Sequence, residues 1–240
     1  MNYHVMTLFP ELIESAMNHS IMGRALNNGI ITLDTVNFRE FAQNKTKHVD
    51  DYIYGGGSGM LIQAEPVWLC YQDLIEKIGH KPRVLYMSPR GKTFDQAMAN
   101  ELAKEEDIIF LCGPYEGIDE RAIELIDPEY VSIGDFVLTG GELPSVLMMD
   151  AITRQISGVL GSDDSALDES FYNGLLEYPQ YTRPPVYEGL EVPEVLMSGN
   201  HKLIAEWRKE KALEITKKNR PDMYEKYTNE GKKTGNRNMM

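Results

Sequence analysis

Two glycine-rich turns hold the residues best suited to chemistry. Gly113-Pro114-Tyr115-Glu116-Gly117 follows the apolar run Ile108 to Cys112. Thr139-Gly140-Gly141-Glu142 follows Val131 to Leu138 and feeds a helical run, Leu143 to Ile156. In an open α/β sheet, ligands bind where strands end at their carboxyl termini, and glycine lets them approach the backbone. Glycines also mark ordinary tight turns; two strands ending this way in succession favour a ligand site. A third cluster, Gly55-Gly56-Gly57-Ser58-Gly59, follows a polar segment with Lys45, Lys47, His48, Asp50 and Asp51. Glycines in such number pack nothing and imply close approach or mobility, so this reads as a functional loop. Asp163, Asp164, Asp168 and Glu169 offer carboxylates that could take a proton, and Arg154 a cation that could steady negative charge. By pattern alone, the carboxylates read as a solvated acidic loop. Arg154 likewise reads as a surface arginine bound to a nearby carboxylate.

The elements that must position these groups alternate at α/β intervals. Strands are predicted at Tyr3 to Phe9, Ile30 to Val36, Arg83 to Met87, Asp107 to Cys112 and Val131 to Leu138. Helices are predicted at Glu11 to Met17, Ile21 to Leu26, Pro66 to Ile78 and Phe94 to Lys104. Ser88-Pro89-Arg90-Gly91 should stop the third strand. A mainly parallel, covered sheet follows. Gly161-Ser162-Asp163-Asp164-Ser165 has hinge or lid composition, and Tyr178 to Pro185 is an aromatic, proline-rich connection. From Asn200 a helical unit begins, with Leu203, Ile204, Trp207 and Ile215 as its apolar stripe. Pro221 should end that helix, Asp222 to Tyr227 reads as a short one, and Asn229 to Met240 as frayed.

The chain has 240 residues, 42% of them hydrophobic, enough for a core and one or two domains. No apolar run approaches a membrane span or a signal peptide. Two cysteines, Cys70 and Cys112, in apolar surroundings argue against a disulfide scaffold or zinc site, and for a reduced, cytoplasmic protein. The net charge of −13 taken alone argues against nucleic acid, but it is unevenly spread. Residues 1–200 hold 13 Lys/Arg against 31 Asp/Glu, whereas residues 201–240 hold 11 against 6. A basic tail fits phosphate contacts on one part of the surface, and equally a solvated helix.

An ordered series of motifs goes further. It includes Leu8-Phe9-Pro10, Gly23-Arg24-Ala25, Val49-Asp50-Asp51, Tyr54 to Gly57, Gly59-Met60, Tyr115 to Arg121 and Ser132 to Leu138. Gly140 to Pro144, Gly158 to Gly161, Tyr181 to Pro184, Val192 to Leu196, Ser198 to His201 and Trp207-Arg208 complete it. In these the chain closely resembles the bacterial tRNA (guanine-N1)-methyltransferases that modify guanosine 37, members of the SPOUT superfamily. The resemblance implies an α/β fold whose mainly parallel sheet carries a deep trefoil knot at its carboxyl end, although true knots are almost absent from proteins. It implies a knotted cofactor domain at 1–160, a lid or linker at 161–174, and a mostly helical tRNA-binding domain at 175–240. A homodimer acting on the tRNA anticodon stem-loop, away from membranes, completes the picture.

By position, S-adenosyl-L-methionine would be held by Tyr86, Met87, Ser88, Pro89, Gly113, Tyr115, Glu116 and Gly117. Ile133, Gly134, Asp135, Phe136, Val137, Leu138, Gly140, Gly141 and Pro144 would complete its pocket. The family's base is the aspartate of Asp-Ser-Phe; this chain has Asp168-Glu169-Ser170-Phe171, so Glu169 matches and Asp168 is the alternative. Arg154 matches the family's arginine at guanine O6. Asp50, Ser170, Glu177, Gln180, Lys202 and Arg208 would touch RNA, with Lys209, Lys211, Lys217, Lys218 and Arg220 as further phosphate candidates. The family's magnesium dependence carries over only as an expectation, because no ligand cluster is legible. Ile53, Ser58, Pro114 and Gln180 depart from common family residues. An RNA-binding homologue without catalysis and a knotted methyltransferase of another RNA guanine are the alternatives.

Overall fold

The computed structural model describes residues 1–161, 169–171 and 173–237. By contact density the chain divides into two compact units, Met1–Gly161 and Ser162–Met240.

The first unit opens with β1 (Asn2–Thr7), α1 (Pro10–Met17), α2 (Ser20–Asn27) and β2 (Thr32–Asn37). Pro10 starts α1, where its missing N–H costs no hydrogen bond. A 3-10 turn at Phe38–Phe41 leads to an antiparallel ribbon, β3 (Asp50–Tyr52) and β4 (Met60–Ile62). Then come α3 (Ala64–Ile78), β5 (Arg83–Thr93), α4 (Gln96–Leu102), β6 (Asp107–Leu111), α5 (Glu120–Ile126), β7 (Glu129–Ser132) and α6 (Glu142–Thr153). The five long-range strands pair in parallel in the order β2-β1-β6-β5-β7.

Central β6 is buried throughout, as a parallel strand covered on both faces must be. Its alternation splits the core in two. Ile108, Phe110 and the adjoining Cys112 pack with Tyr3, Val5, Met17 and the α6 residues Met148, Met149 and Ile152. Ile109 and Leu111 pack with Met6, Ile123 and the α3 residues Val67, Cys70 and Leu74. Each face of the sheet thus buries one free cysteine. At the amino ends of the strands, buried Asp107 accepts hydrogen bonds from Asn2 Nδ2 at 3.1 Å and His4 Nε2 at 3.0 Å, and His80 stands 3.6 Å away.

Three elements differ from expectation. β5 does not stop at Ser88-Pro89 but continues to Thr93, with a register shift between Met87 and Lys92, both of which partner Val131. The irregularity tolerates Pro89, which donates no ladder bond. Gly91 crosses β7 so closely that a Cβ there would lie 2.3 Å from the Tyr130 carbonyl carbon. β7, in turn, is only four residues long. Gly134 has φ +141°, and Ser132 Oγ accepts from its N–H at 3.2 Å, so residues 133–138 leave the sheet. The third difference is α5, hidden in a segment read merely as charged. The Asp119 side chain caps it by accepting from Arg121 N, and Ala122, Ile123 and Ile126 are buried.

The second unit has a short hairpin, β8 (Val186–Tyr187) with β9 (Leu190–Glu191), then α7 (Glu194–Met197), α8 (His201–Asn219) and α9 (Pro221–Arg237). The Asn200 side chain caps α8 by accepting from Leu203 N. Pro221 separates the two long helices as expected, but α9 continues to Arg237, within the stretch expected to fray. The stripe on α8 is not a core: Leu203 is exposed, and Thr216 is the helix's one buried residue. Thr216 Oγ accepts from Leu176 N at 2.8 Å and donates to Ala212 O at 2.7 Å, fastening the proline-rich connection to α8. Among the described residues, no helix is long and apolar enough to cross a membrane.

Candidate functional site

A cleft of about 590 Å³ opens at the carboxyl ends of β5, β6 and β7. β5 contributes Tyr86, Met87, Ser88 and Pro89; the turn after β6 contributes Gly113, Tyr115, Glu116 and Gly117. The segment leaving β7 adds Ile133, Gly134, Phe136, Val137 and Leu138, and the start of α6 adds Gly140, Gly141 and Pro144. Every residue expected around a cofactor lines this cleft except Asp135. That side chain is exposed, because the turn at Gly134 ends strand geometry there. Leu61, Arg90, Glu120 and Thr139 also line the cleft and were not foreseen. Gly59-Met60 and the Ser88 to Gly91 turn were the available signals.

Local packing holds the walls. A Cβ on Gly141 would lie 2.9 Å from Cys112 Cα, so α6 begins hard against the end of β6. Glu142, buried in the first turn of α6, accepts from Thr7 Oγ at 2.7 Å and ties that turn to the end of β1. Ser145 Oγ donates to Gly141 O at 2.8 Å and sits 3.2 Å from Cys112 Sγ. The β3–β4 ribbon forms the opposite side. Glu116 N donates to Met60 O at 3.1 Å, and Ile62 N donates to Gly117 O at 3.0 Å. Tyr115 adopts φ +59°, a left-handed conformation that costs a non-glycine residue on the order of 1 kcal/mol.

The cleft joins polar backbone with apolar surface. Phe136 and Leu138 are 55% and 40% exposed, leaving area for a flat ring to cover. Tyr86 packs edge-on against Tyr130 at 5.6 Å, and burial pushes its phenol up, keeping it a neutral hydrogen-bonding group. At the rim Arg90 Nη1 stands 3.5 Å from Glu120, whose carboxylate also accepts from Tyr130 OH at 3.5 Å. Such a site suits a nucleoside: backbone groups for its edges, apolar side chains for its faces. Among the described residues, no group of three or more His, Cys, Asp or Glu is arranged to hold a metal.

The remaining candidates are dispersed. Asp50 begins β3, half-buried, and Arg154 caps the C-terminus of α6, its N–H bonded to Asp150 O. Asp168 lies outside the described residues, as do Asp163 and Asp164. In the second unit Glu169, Glu177 and Arg208 line a cavity of about 410 Å³ with Tyr178, Lys209 and Tyr227. Ser170 Oγ accepts from Glu177 N at 2.9 Å, Gln180 donates to the Glu177 carboxylate, and Arg208 stacks over the Tyr178 ring at 4.9 Å. Lys202 is exposed on α8. Of the other basic candidates, Lys211 pairs with Glu214, Arg220 with Asp222, and Lys217 lies over the Tyr224 ring.

Residues 1–226 match the protein family described as tRNA (guanine-1)-methyltransferase TrmD. A Lachnospira eligens protein is 55% identical over 227 residues, covering 95% of this chain and 96% of its own. Proteins of Clostridium botulinum and Clostridioides difficile are 56% and 53% identical, covering 97% and 94% of this chain and 96% and 98% of their own. Each of the three is named tRNA (guanine-N(1)-)-methyltransferase.

Proposed function

The chain belongs to the tRNA (guanine-1)-methyltransferase family, and from that premise we propose that it transfers the methyl group of S-adenosylmethionine to N1 of guanosine 37 in the anticodon loop of tRNA. The observation that carries the reading is the single glycine-walled cleft into which β5, β6, β7 and α6 all deliver residues of the family's motifs. Its volume, its exposed backbone and the apolar surface at Phe136 and Leu138 fit an adenosine-containing donor. Bound there, S-adenosylmethionine supplies an electrophilic methyl group on a sulfonium.

The chain's own residues must then make the acceptor reactive. Guanine N1 carries a proton at neutral pH. Glu169 takes that proton as general base, freeing the N1 lone pair to form the new N–C bond. As the proton leaves, charge spreads to O6, where the Arg154 guanidinium stabilises it. Compared with aspartate, Glu169 adds one methylene, and its neighbour Ser170 is held in place by accepting from Glu177 N. Asp50 accepts from guanine N–H groups. Gln180, Lys202 and Arg208 contact the RNA, whose loop base reaches the cleft by leaving its stack.

The first unit acts as the cofactor domain and the second as the tRNA-binding domain. The SPOUT knot at the carboxyl end of the sheet follows from membership of the family. Phe9, Leu12, Leu143 and Leu147 are exposed apolar residues on and beside α1 and α6, and they support a homodimer. The protein works in the cytoplasm. The family's magnesium dependence finds no ligand set among the described residues.

The test is transfer of labelled methyl from S-adenosylmethionine to a tRNA transcript, with the product mapped by nuclease digestion and mass spectrometry. N1-methylguanosine at position 37, absent when that base is replaced, is the expected result. Binding of both partners without transfer would overturn the enzyme in favour of an RNA-binding homologue. Methylation elsewhere would overturn the position.

A further inference from the structure

The β3–β4 ribbon ends in two highly exposed aromatic rings. Tyr54 is 97% exposed and Tyr52 83%. They contribute nothing to either core cluster, and they leave apolar rings in water. The ribbon beneath them is fastened. Asp51 pairs with Leu61 and Tyr52 with Met60, Gln63 N donates to Val49 O at 2.7 Å, and Asp119 N donates to Ile62 O at 2.9 Å. Leu61 lines the cleft, so the strand opposite the rings is part of the cleft wall. Beyond Tyr54, side chains added at Gly55, Gly56 or Gly57 would meet nothing within 4 Å, which keeps the approach to the rings open.

Charge decides what such an edge can grip. Next to the rings stand Asp50 and Asp51; the Lys47 ammonium is occupied by the carbonyls of Glu40 and Ala42 at 3.1 and 2.9 Å, and Arg121, the cation that acts on Tyr54, is paired with Asp119 at 2.7 Å. Phosphates are therefore poor ligands for this edge. Aromatic faces, in contrast, bind unpaired bases without regard to charge, and a single-stranded loop presents such bases. We propose that Tyr52 and Tyr54 form a stacking platform for the unpaired bases that flank the methylated guanosine, an inference that rests on the tRNA reading above. The platform holds the loop against the cleft wall, and it does so through ring faces and not through backbone phosphates.

The test is a titration of a fluorescent anticodon stem-loop RNA into the full-length protein with S-adenosylhomocysteine present, at low and at raised salt. Tyr54→Ala and Tyr52→Ala should each weaken RNA binding on the order of tenfold. Tyr54→Phe and Tyr52→Phe should bind as the parent does, because the ring face is kept. The loss should be the same factor at both salt concentrations, since no counterion is released by stacking. S-adenosylhomocysteine affinity, measured by calorimetry, should be unchanged in every variant. Alanine variants that bind RNA like the parent would overturn the platform, as would phenylalanine variants that lose as much as alanine. Methyl transfer by the unaltered protein is measured alongside. Its absence, with the alanine losses intact, would sink the methyltransferase reading and leave the platform standing, and failure of the unaltered protein to bind RNA would overturn both.

Discussion

The two units are built by different means. Both core clusters lie wholly within the first, where helices cover each face of the sheet and glycines bring backbone against backbone. Among the described residues of the second, Thr216 alone is buried, and the helices hold mainly by their caps, by pairs such as Lys211–Glu214, and by rings such as Trp207 against Tyr181. Dense packing can hold a cleft to tenths of an ångström. Sparse packing leaves a surface that gains order from what it binds. If the proposed function holds, the contrast would separate two tasks, holding a small donor and handling a large acceptor.

The sharpest break would come from removing the proposed base. Glu169→Gln should lower transfer by roughly 10²- to 10⁴-fold, with S-adenosylmethionine affinity unchanged in calorimetry. Equal loss of cofactor binding would mean that the units do not divide the work. Arg154→Ala should cost about 10²- to 10³-fold in turnover and again spare cofactor binding, so a matched loss in both would count against its role at O6.

Cutting the chain before Asn200 removes 11 of the 24 Lys and Arg residues. Binding of tRNA in a filter assay should weaken on the order of tenfold or more, with a shallower salt dependence. The cofactor should still bind, since neither core cluster extends past residue 159. In the first unit, Gly141→Ala forces a methyl group against Cys112 and should cost about 1–3 kcal/mol of stability, read from denaturant midpoints, together with cofactor affinity. A silent Gly141→Ala would mean that this wall is looser than its contacts imply.

The smallest effect concerns Asp107. Burial alone would raise its carboxyl, but hydrogen bonds from His4 and Asn2 outweigh burial and hold it below the usual carboxylate range. A depressed carboxylate stabilises fully above its unfolded pKa, about 4, and the contribution fades as pH falls through the lower folded value. Asp107→Asn should therefore be less stable than the parent at pH 6, and the gap should narrow toward pH 3. A gap independent of pH would assign the loss to packing.

Legibility in the sequence followed the same division. The parallel sheet was readable because β6 is a nearly continuous apolar run and strands alternate with helices along the chain, and the cleft was readable because glycines punctuate strand ends. What escaped was non-periodic. α5 is short and charged on its outer face, so only Asp119 as a cap and the spacing of Ala122, Ile123 and Ile126 announced it. The continuation of β5 through Pro89 depends on a partner, Val131, far along the chain. Leu203, Ile204 and Trp207 have helical spacing yet find no core within their own unit, because periodicity reports a face and not what covers it.

The two cysteines have a practical consequence. Cys112 is enclosed on one side of the sheet and Cys70 on the other, and burial pushes both thiols up, so neither reacts while its layer stays closed. A thiol reagent followed over time on single-cysteine variants therefore times the opening of each layer separately, with no probe added. If the α6 side opens more often than the α3 side, the Cys112 signal will rise first, and the saturating cofactor should slow that clock while leaving the other running.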